Sequence, residues 1–167
     1  MTATGLWLRL SAGSAAALGS VLLIPVPAPT NGTTLSTAAV AGAVAGVALF
    51  GALARSAPRA VLGGWSRRDS TRSSFFVLWA GVEEALWRRL VLGGVALHAG
   101  WPAGLVVSTV GFAMCHRLGR SSHFLTGCAF GTIYLVTGRL LAAIVTHAIY
   151  NLLLDRALQR PVPVTAP

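Results

Sequence analysis

Apolar residues dominate the chain in six long stretches, separated by short polar or turn-forming segments. The stretches lie at about residues 6–24, 35–54, 73–97, 102–118, 122–137 and 139–158. A helix needs about 17–25 predominantly apolar residues to cross a bilayer, and most of the stretches reach that length. The alternation of period two that is typical of a membrane strand is missing. The pattern predicts an all-α fold, a polytopic transmembrane helical bundle of about six spanning helices, with residues 1–167 forming a single integral membrane domain.

Composition supports this prediction, because 54% of the residues are hydrophobic and only 10% are charged. Soluble domains carry roughly 25% charged residues. The net charge of +9 could indicate a nucleic-acid partner. However, the basic residues are all arginine, and most flank apolar stretches instead of forming a patch interleaved with aromatic residues. We therefore expect the chain to contact a lipid bilayer and no nucleic acid.

The arginines also predict the orientation of the chain. The segment between the second and third stretches contains one aspartate and a cluster of five arginines: Arg55, Arg59, Arg67, Arg68 and Arg72. Basic loops stay on the cytoplasmic side, so we expect both termini in the cytoplasm and the segments 25–34 and 98–102 outside. The first stretch could instead be a cleaved signal peptide, which would leave the other stretches oriented as before. We expect a disordered tail at 161–167 and a location in the bacterial plasma membrane.

Two smaller patterns concern packing. Gly42 and Gly46 are four residues apart, which would let another helix approach closely. Cys115 and Cys128 lie in apolar stretches without the spacing of a metal-binding pair, so we expect buried free thiols.

Two of the four acidic residues stand side by side in the third apolar stretch. They are Glu83 and Glu84, and Arg88 and Arg89 follow them. Ionisable groups at membrane depth are costly, and they indicate a functional site. Residues four apart are offset by about 40° around a helix, so Glu84 and Arg88 should share a face and pair. Two adjacent carboxylates cannot both ionise cheaply, which leaves Glu83 as the candidate general base.

Further polar residues lie at membrane depth in later stretches. His116 is near the inner end of the fourth stretch, and His147 and Asn151 share one face of the sixth. With a rise of about 1.5 Å per residue, these groups and Glu83 overlap in depth, nearer the cytoplasmic side. Attack of water on a peptide bond creates an oxyanion that needs preplaced donors, which His147 and Asn151 could supply. Polar sets at overlapping depth favour a catalytic site over a purely structural role.

Other polar residues are less informative. His98 lies beside Trp101 and is expected at the outer interface. His123 follows two serines at the start of the fifth stretch, so we expect it at the cytoplasmic surface, where it could line the mouth of the site. Arg89 has no acidic residue three or four positions away, so its partner should be on another helix or be a substrate carboxylate.

The polar sets resemble the motifs of the CPBP family, the CAAX and bacteriocin-processing intramembrane proteases. The motifs are Glu83-Glu84-x-x-x-Arg88, Phe112-x-x-x-His116 and His147-x-x-x-Asn151. The resemblance covers residues 73–155, which would form the catalytic core. It implies hydrolysis of a peptide bond in a membrane-associated protein or peptide, at a cavity open to the cytoplasm.

The resemblance also implies a role for each residue. Glu83 would activate water with help from His116. His147 and Asn151 would stabilise the oxyanion. Glu84 with Arg88 would support the site, and Phe112 would pack beside it.

Such proteases are described both as metallo- and as glutamic-type enzymes. One carboxylate and two histidines could bind zinc with one open position. Asn151 suits an oxyanion hole better than a zinc site, so we expect that no cofactor is required. A non-catalytic membrane partner on the same fold, such as an immunity or scaffold protein, and a small proton-coupled carrier remain alternatives. The substrate is not indicated.

Overall fold

The computed structural model describes residues 3–53, 67–117 and 119–158. In chain order, the elements are α1 (Ala3–Leu23), α2 (Leu35–Leu53), α3 (Arg67–Glu84), a π-helical segment (Ala85–Leu92), α4 (Gly93–Met114), α5 (Arg120–Thr137) and α6 (Leu140–Leu158). No strand occurs within these described ranges. The predicted all-α class is therefore confirmed.

The helix α4 is broken near its start at Gly100. The backbone angles of this glycine (φ 80°, ψ 165°) lie outside the helical region, and a positive φ costs glycine little. The chain folds back on itself at this point. A Cβ placed on Gly104 would lie 2.5 Å from the backbone oxygen of Leu92, and one on Gly111 would lie 2.6 Å from the ring of Trp87. The main part of α4 therefore packs antiparallel to the π-helical segment.

Within the described ranges, three helical stretches are long and apolar enough to cross a membrane: Leu35–Leu53, Arg72–Met114 and Leu140–Leu158. The second has 43 residues and includes the break at Gly100, so its two parts lie side by side. A shorter apolar helix covers Trp7–Leu23. The chain is thus an integral membrane protein, but the predicted number of about six spanning helices is not confirmed.

The two glycines of α2 bring this helix close to α6. A Cβ on Gly42 would lie 2.5 Å from the carbonyl oxygen of Ala142, and one on Gly46 would lie 2.8 Å from that of Thr146. The Thr146 hydroxyl donates a hydrogen bond to the carbonyl of Gly42 at 3.1 Å. The prediction that these glycines allow a close helix contact is confirmed. The contact supports α6 immediately before His147.

The connection between α1 and α2 is tied to the bundle by side chains from other elements. Arg89 Nη1 donates a hydrogen bond to the carbonyl of Val26 at 2.6 Å. Arg139 Nε donates to the carbonyl of Thr33 at 2.8 Å. Asn31 Nδ2 donates to two carbonyls in the last turn of α5. Arg89 therefore bonds to a backbone carbonyl in this connection, and it also contacts the side chain of Tyr134 on α5, which agrees with the predicted partner on another helix.

The two cysteines are free, as predicted. Cys128 is half-buried, but the prediction that both thiols are buried is wrong for Cys115, which is exposed. The reason is that Cys115 follows the last residue of α4, Met114, and the neighbouring helices do not cover it.

Some predictions fall outside the described residues. These include the tail at 161–167 and most of the basic segment that begins at Arg55. The orientation of the chain across the bilayer stays a prediction.

Candidate active site

Glu83 and Glu84 are the last two residues of α3, and they meet different surroundings. The Glu84 side chain is fully buried, whereas the Glu83 side chain is 15% exposed and lines a cavity. Consecutive residues on a helix are separated by about 100°, which turns one carboxylate into the packed interior and the other towards the cavity.

Each oxygen of the Glu84 carboxylate accepts a buried hydrogen bond. Arg88 Nε donates to Oε2 at 2.9 Å, and His147 Nδ1 lies 2.9 Å from Oε1. Arg88 also donates to the hydroxyl of Ser108 at 3.1 Å, and its guanidinium carbon lies 5.6 Å from the centre of the Phe112 ring. The predicted Glu84–Arg88 pair is confirmed. The bond from His147 is an addition that sequence spacing did not indicate.

The bond to Glu84 also fixes the chemistry of His147. A carboxylate at neutral pH only accepts hydrogen bonds, so the proton of this bond belongs to Nδ1 of His147. The other ring nitrogen, Nε2, then faces Glu83, 3.6 Å from its Oε2. The Phe130 ring stacks on His147 with centroids 4.4 Å apart and planes 19° apart, which further restricts the imidazole.

Glu83 is held between three aromatic side chains. Trp79 Nε1 donates a hydrogen bond to its Oε1 at 2.8 Å, which restricts the carboxylate to one rotamer. His116 Nε2 lies 4.0 Å from Oε1, and His147 Nε2 lies 3.6 Å from Oε2. Separations of this size exceed a direct hydrogen bond.

His116 lies beyond the end of α4, which finishes at Met114, whereas the sequence predicted it inside the fourth helix. The His116 ring provides the physical reason. Its Nδ1 lies 2.7 Å from the carbonyl oxygen of Phe112, which the backbone N–H of residue 116 would bond in a continuing α-helix. That N–H instead donates to Ala113 at 3.2 Å. The carbonyl accepts from Nδ1, which leaves Nε2 directed at Glu83.

The cavity beside Glu83 has a volume of about 300 Å³. Asn151, one turn beyond His147 on α6, lines it, so the structure brings together Glu83, His116, His147 and Asn151. The other lining residues are mostly aromatic or hydroxyl-bearing: Phe75, Phe76, Trp79, Phe112, Ser122, His123, Thr126, Phe130, Tyr150 and Leu154. The catalytic roles of the four candidate residues stay predictions.

The sequence predicted the position of His123, one of these lining residues, only approximately. His123 faces the cavity, and its ring lies parallel to that of His116, with centroids 3.9 Å and planes 15° apart. Its place in the first turn of α5 suggested the surface or the mouth of the site. The stacking with His116 depends on how the loop between α4 and α5 closes, and local sequence carries no signal for that.

Among the described residues, no group of three His, Cys, Asp or Glu side chains is arranged as a set of metal ligands. Glu83, His116 and His147 remain the donors that a metal would use if one bound here.

Part of the chain is similar to a known protein family. Residues 72–153 match a family model described as type II CAAX prenyl endopeptidase Rce1-like. No curated protein matches, and no solved structure does. The matched region contains each of the candidate residues from Glu83 to Asn151. Residues 72–153, just under half of the chain, are therefore similar to the Rce1-like family, which is consistent with the CPBP/CAAX proteases that the motifs resemble.

Proposed function

We propose that the protein is an intramembrane endopeptidase, which hydrolyses a peptide bond of a membrane-associated protein or peptide with water activated by Glu83. One observation carries the proposal. The Nε2 atoms of His116 and His147 both face the Glu83 carboxylate at the wall of one cavity. The Rce1-like match supports the reaction class.

Glu83 and His116 act together on the water. With its proton on Nδ1, a neutral His116 presents a lone pair at Nε2. A water molecule placed between Glu83 Oε1 and His116 Nε2 would donate one hydrogen to each and direct an oxygen lone pair into the cavity. As the oxygen attacks the substrate carbonyl, Glu83 takes the proton, which is the action of a general base.

His147 and Asn151 act on the oxyanion that this attack creates. The cluster consists of Glu83, Glu84, Arg88 and His147. When His147 is protonated, the two cations balance the two carboxylates, and the cluster has no net charge. A protonated His147 donates from Nε2 while Nδ1 remains bound to Glu84. The Asn151 amide supplies a second donor from one turn further along α6.

Collapse of the tetrahedral intermediate completes the proton balance. The C–N bond breaks, the proton held by Glu83 passes to the leaving amine, and the carboxylate is regenerated. Glu84 takes no part in this transfer. It holds His147 in position and pairs with Arg88, while Trp79 keeps Glu83 in its rotamer.

A cleavage assay in proteoliposomes tests the proposal. The probes are a farnesylated peptide with a CAAX end, the same peptide without its lipid, a bacteriocin-leader peptide and a C-terminal sorting-tag peptide. We expect at least one membrane-associated probe to yield two products whose masses sum to that of the probe plus one water. The variant His98→Ala, at an exposed residue away from the cavity, should cleave equally well. Failure of the folded protein to cleave any probe would contradict the proposal and favour a non-catalytic partner.

A further inference from the structure

His116 differs from the other candidate residues because no helix holds its backbone. Glu83 and Glu84 are on α3, Arg88 is in the π-helical segment, and His147 is on α6. His116 lies two residues beyond the end of α4, and its side chain is 29% exposed. The direction of its Nε2 therefore depends on the contacts of its ring.

Three contacts restrain that ring. The hydrogen bond from Nδ1 to the Phe112 carbonyl fixes one atom, but the imidazole plane can still pivot about it. The second contact is the Phe112 ring, with centroids 4.7 Å and planes 53° apart, and the third is the parallel stack on His123, with centroids 3.9 Å apart. Rotation of the His116 plane would cause a steric clash between its ring and that of His123. The His123 stack, together with the Phe112 ring on which His116 also packs, thus limits the orientation that the hydrogen bond leaves free.

The His123 ring can restrain the His116 ring because its own position is fixed. It lies in the first turn of α5, and its Nδ1 lies 2.8 Å from the carbonyl oxygen of Gly119. Gly119 has a left-handed backbone (φ 66°) that a side chain would strain. The tight turn before α5 therefore determines where the His123 ring lies.

We propose that His123 is a positioning residue for His116, whose ring face keeps Nε2 of His116 directed at Glu83. This inference rests on the proposed function for its effect on catalysis. The ring contacts of His123 are with His116 and Phe112. Because His123 also lines the cavity, action through His116 requires that KM stay unchanged when the His123 ring is lost. What the role requires of residue 123 is a flat ring.

Kinetics on the farnesylated CAAX peptide, as a fluorogenic probe, test the proposal. The variant His123→Leu fills the space but removes the flat ring. We expect it to lower kcat roughly tenfold with KM within about twofold, since a displacement of 1 Å can cost about 10²-fold. His123→Phe keeps a stacking ring and should retain most of kcat. In a His116→Ala background, His123→Leu should cause no further loss.

Three outcomes would overturn the proposal. An unchanged kcat in His123→Leu would mean that the stack has no effect on catalysis. A rise in KM alone would make His123 a substrate contact. An equal loss in the His116→Ala background would mean that His123 acts independently of His116.

A measurement without substrate separates this proposal from the proposed function. Carbethoxylation of His116 by diethyl pyrocarbonate, followed by mass spectrometry, should be severalfold faster in His123→Leu than in the wild type and in His123→Phe. Equal rates in all three proteins would contradict the positioning role even if the peptide is cleaved. A protein that cleaves no probe but shows the expected rates would overturn the protease function alone.

Discussion

Nδ1 of His147 donates a hydrogen bond to Oε1 of Glu84 at 2.9 Å, inside the bundle and between α6 and α3. The second oxygen of the same carboxylate accepts from Arg88. One buried anion therefore holds a cation and an imidazole in place, while the neighbouring carboxylate of Glu83 stays at the cavity wall. The adjacent glutamates have different surroundings because successive helical residues point in different directions.

Replacement of Glu84 should destabilise the fold. Glu84→Ala leaves Arg88 and His147 without their buried partner, and breaking a buried ion pair costs about 3–5 kcal/mol. We expect a loss of this size in the free energy of unfolding, measured by denaturant titration in detergent, together with loss of activity. Glu83→Ala is the matched control. It removes one partly exposed acceptor from Trp79 and should cost only about 1 kcal/mol.

A double substitution tests the cause of that loss. Glu84→Ala combined with Arg88→Leu removes the stranded cation, so it should recover part of the stability without restoring full activity. A double variant that is no more stable than Glu84→Ala would show that the unpaired Arg88 is not the source of the cost.

The contact between α2 and α6 can be tested by comparing glycine-to-alanine variants at two positions of α2. A Cβ on Gly42 would lie 2.5 Å from a backbone oxygen of α6, whereas one on Gly51 would meet nothing within 4 Å. Gly42→Ala should lower the free energy of unfolding by about 1–3 kcal/mol, the usual cost of overpacking. Gly51→Ala should leave it unchanged or raise it, because alanine is the better helix former. Equal effects of the two variants would refute the close contact.

The metal dependence of the activity separates two mechanisms. With water activated by Glu83, activity should survive dialysis against strong chelators, and added zinc should inhibit by binding Glu83 and the two histidines. The assay is peptide cleavage before and after chelation. Loss of activity that stoichiometric zinc restores would reassign Glu83, His116 and His147 as metal ligands.

Orientation in the membrane can be measured by cysteine labelling, in a variant that lacks Cys115 and Cys128. An impermeant maleimide added outside intact cells should label cysteines at Thr30 and Gly100, which are in the connections predicted to be external. It should miss a cysteine at Ser66, which belongs to the basic segment outside the described residues. Strong external labelling at Ser66 would place the cavity on the opposite side of the membrane.

The sequence predicted the features that depend on helical period. The Glu84–Arg88 pair is four residues apart on one helix, and the spacing of Gly42 and Gly46 is enough to indicate a close approach. The sequence predicted one shared site for Glu83, His116, His147 and Asn151 only because they lie at similar depths and because their motifs resemble those of a known family. In a chain that crosses a membrane, ionisable side chains at membrane depth pair with one another or face a cavity.

Other features depend on contacts between distant parts of the chain, so local spacing could not reveal them. Arg89 bonds to Val26, 63 residues away, and His147 bonds to Glu84 across the same sequence separation. The end of α4 before His116 depends on a ring nitrogen that competes with the backbone for one carbonyl. Hydropathy placed a turn at 98–102, where the helix breaks at Gly100, but it did not settle the number of spanning helices, because α5 begins with polar residues.

The most direct test of the account is the cleavage rate of Glu83→Gln beside that of the wild type. Glutamine keeps the shape of the side chain and can still accept the hydrogen bond from Trp79, but it cannot take a proton from water. We expect kcat to fall by about 10²- to 10⁴-fold, the usual contribution of general acid–base catalysis, with unchanged unfolding in detergent. Full activity in a stably folded Glu83→Gln protein would contradict the account.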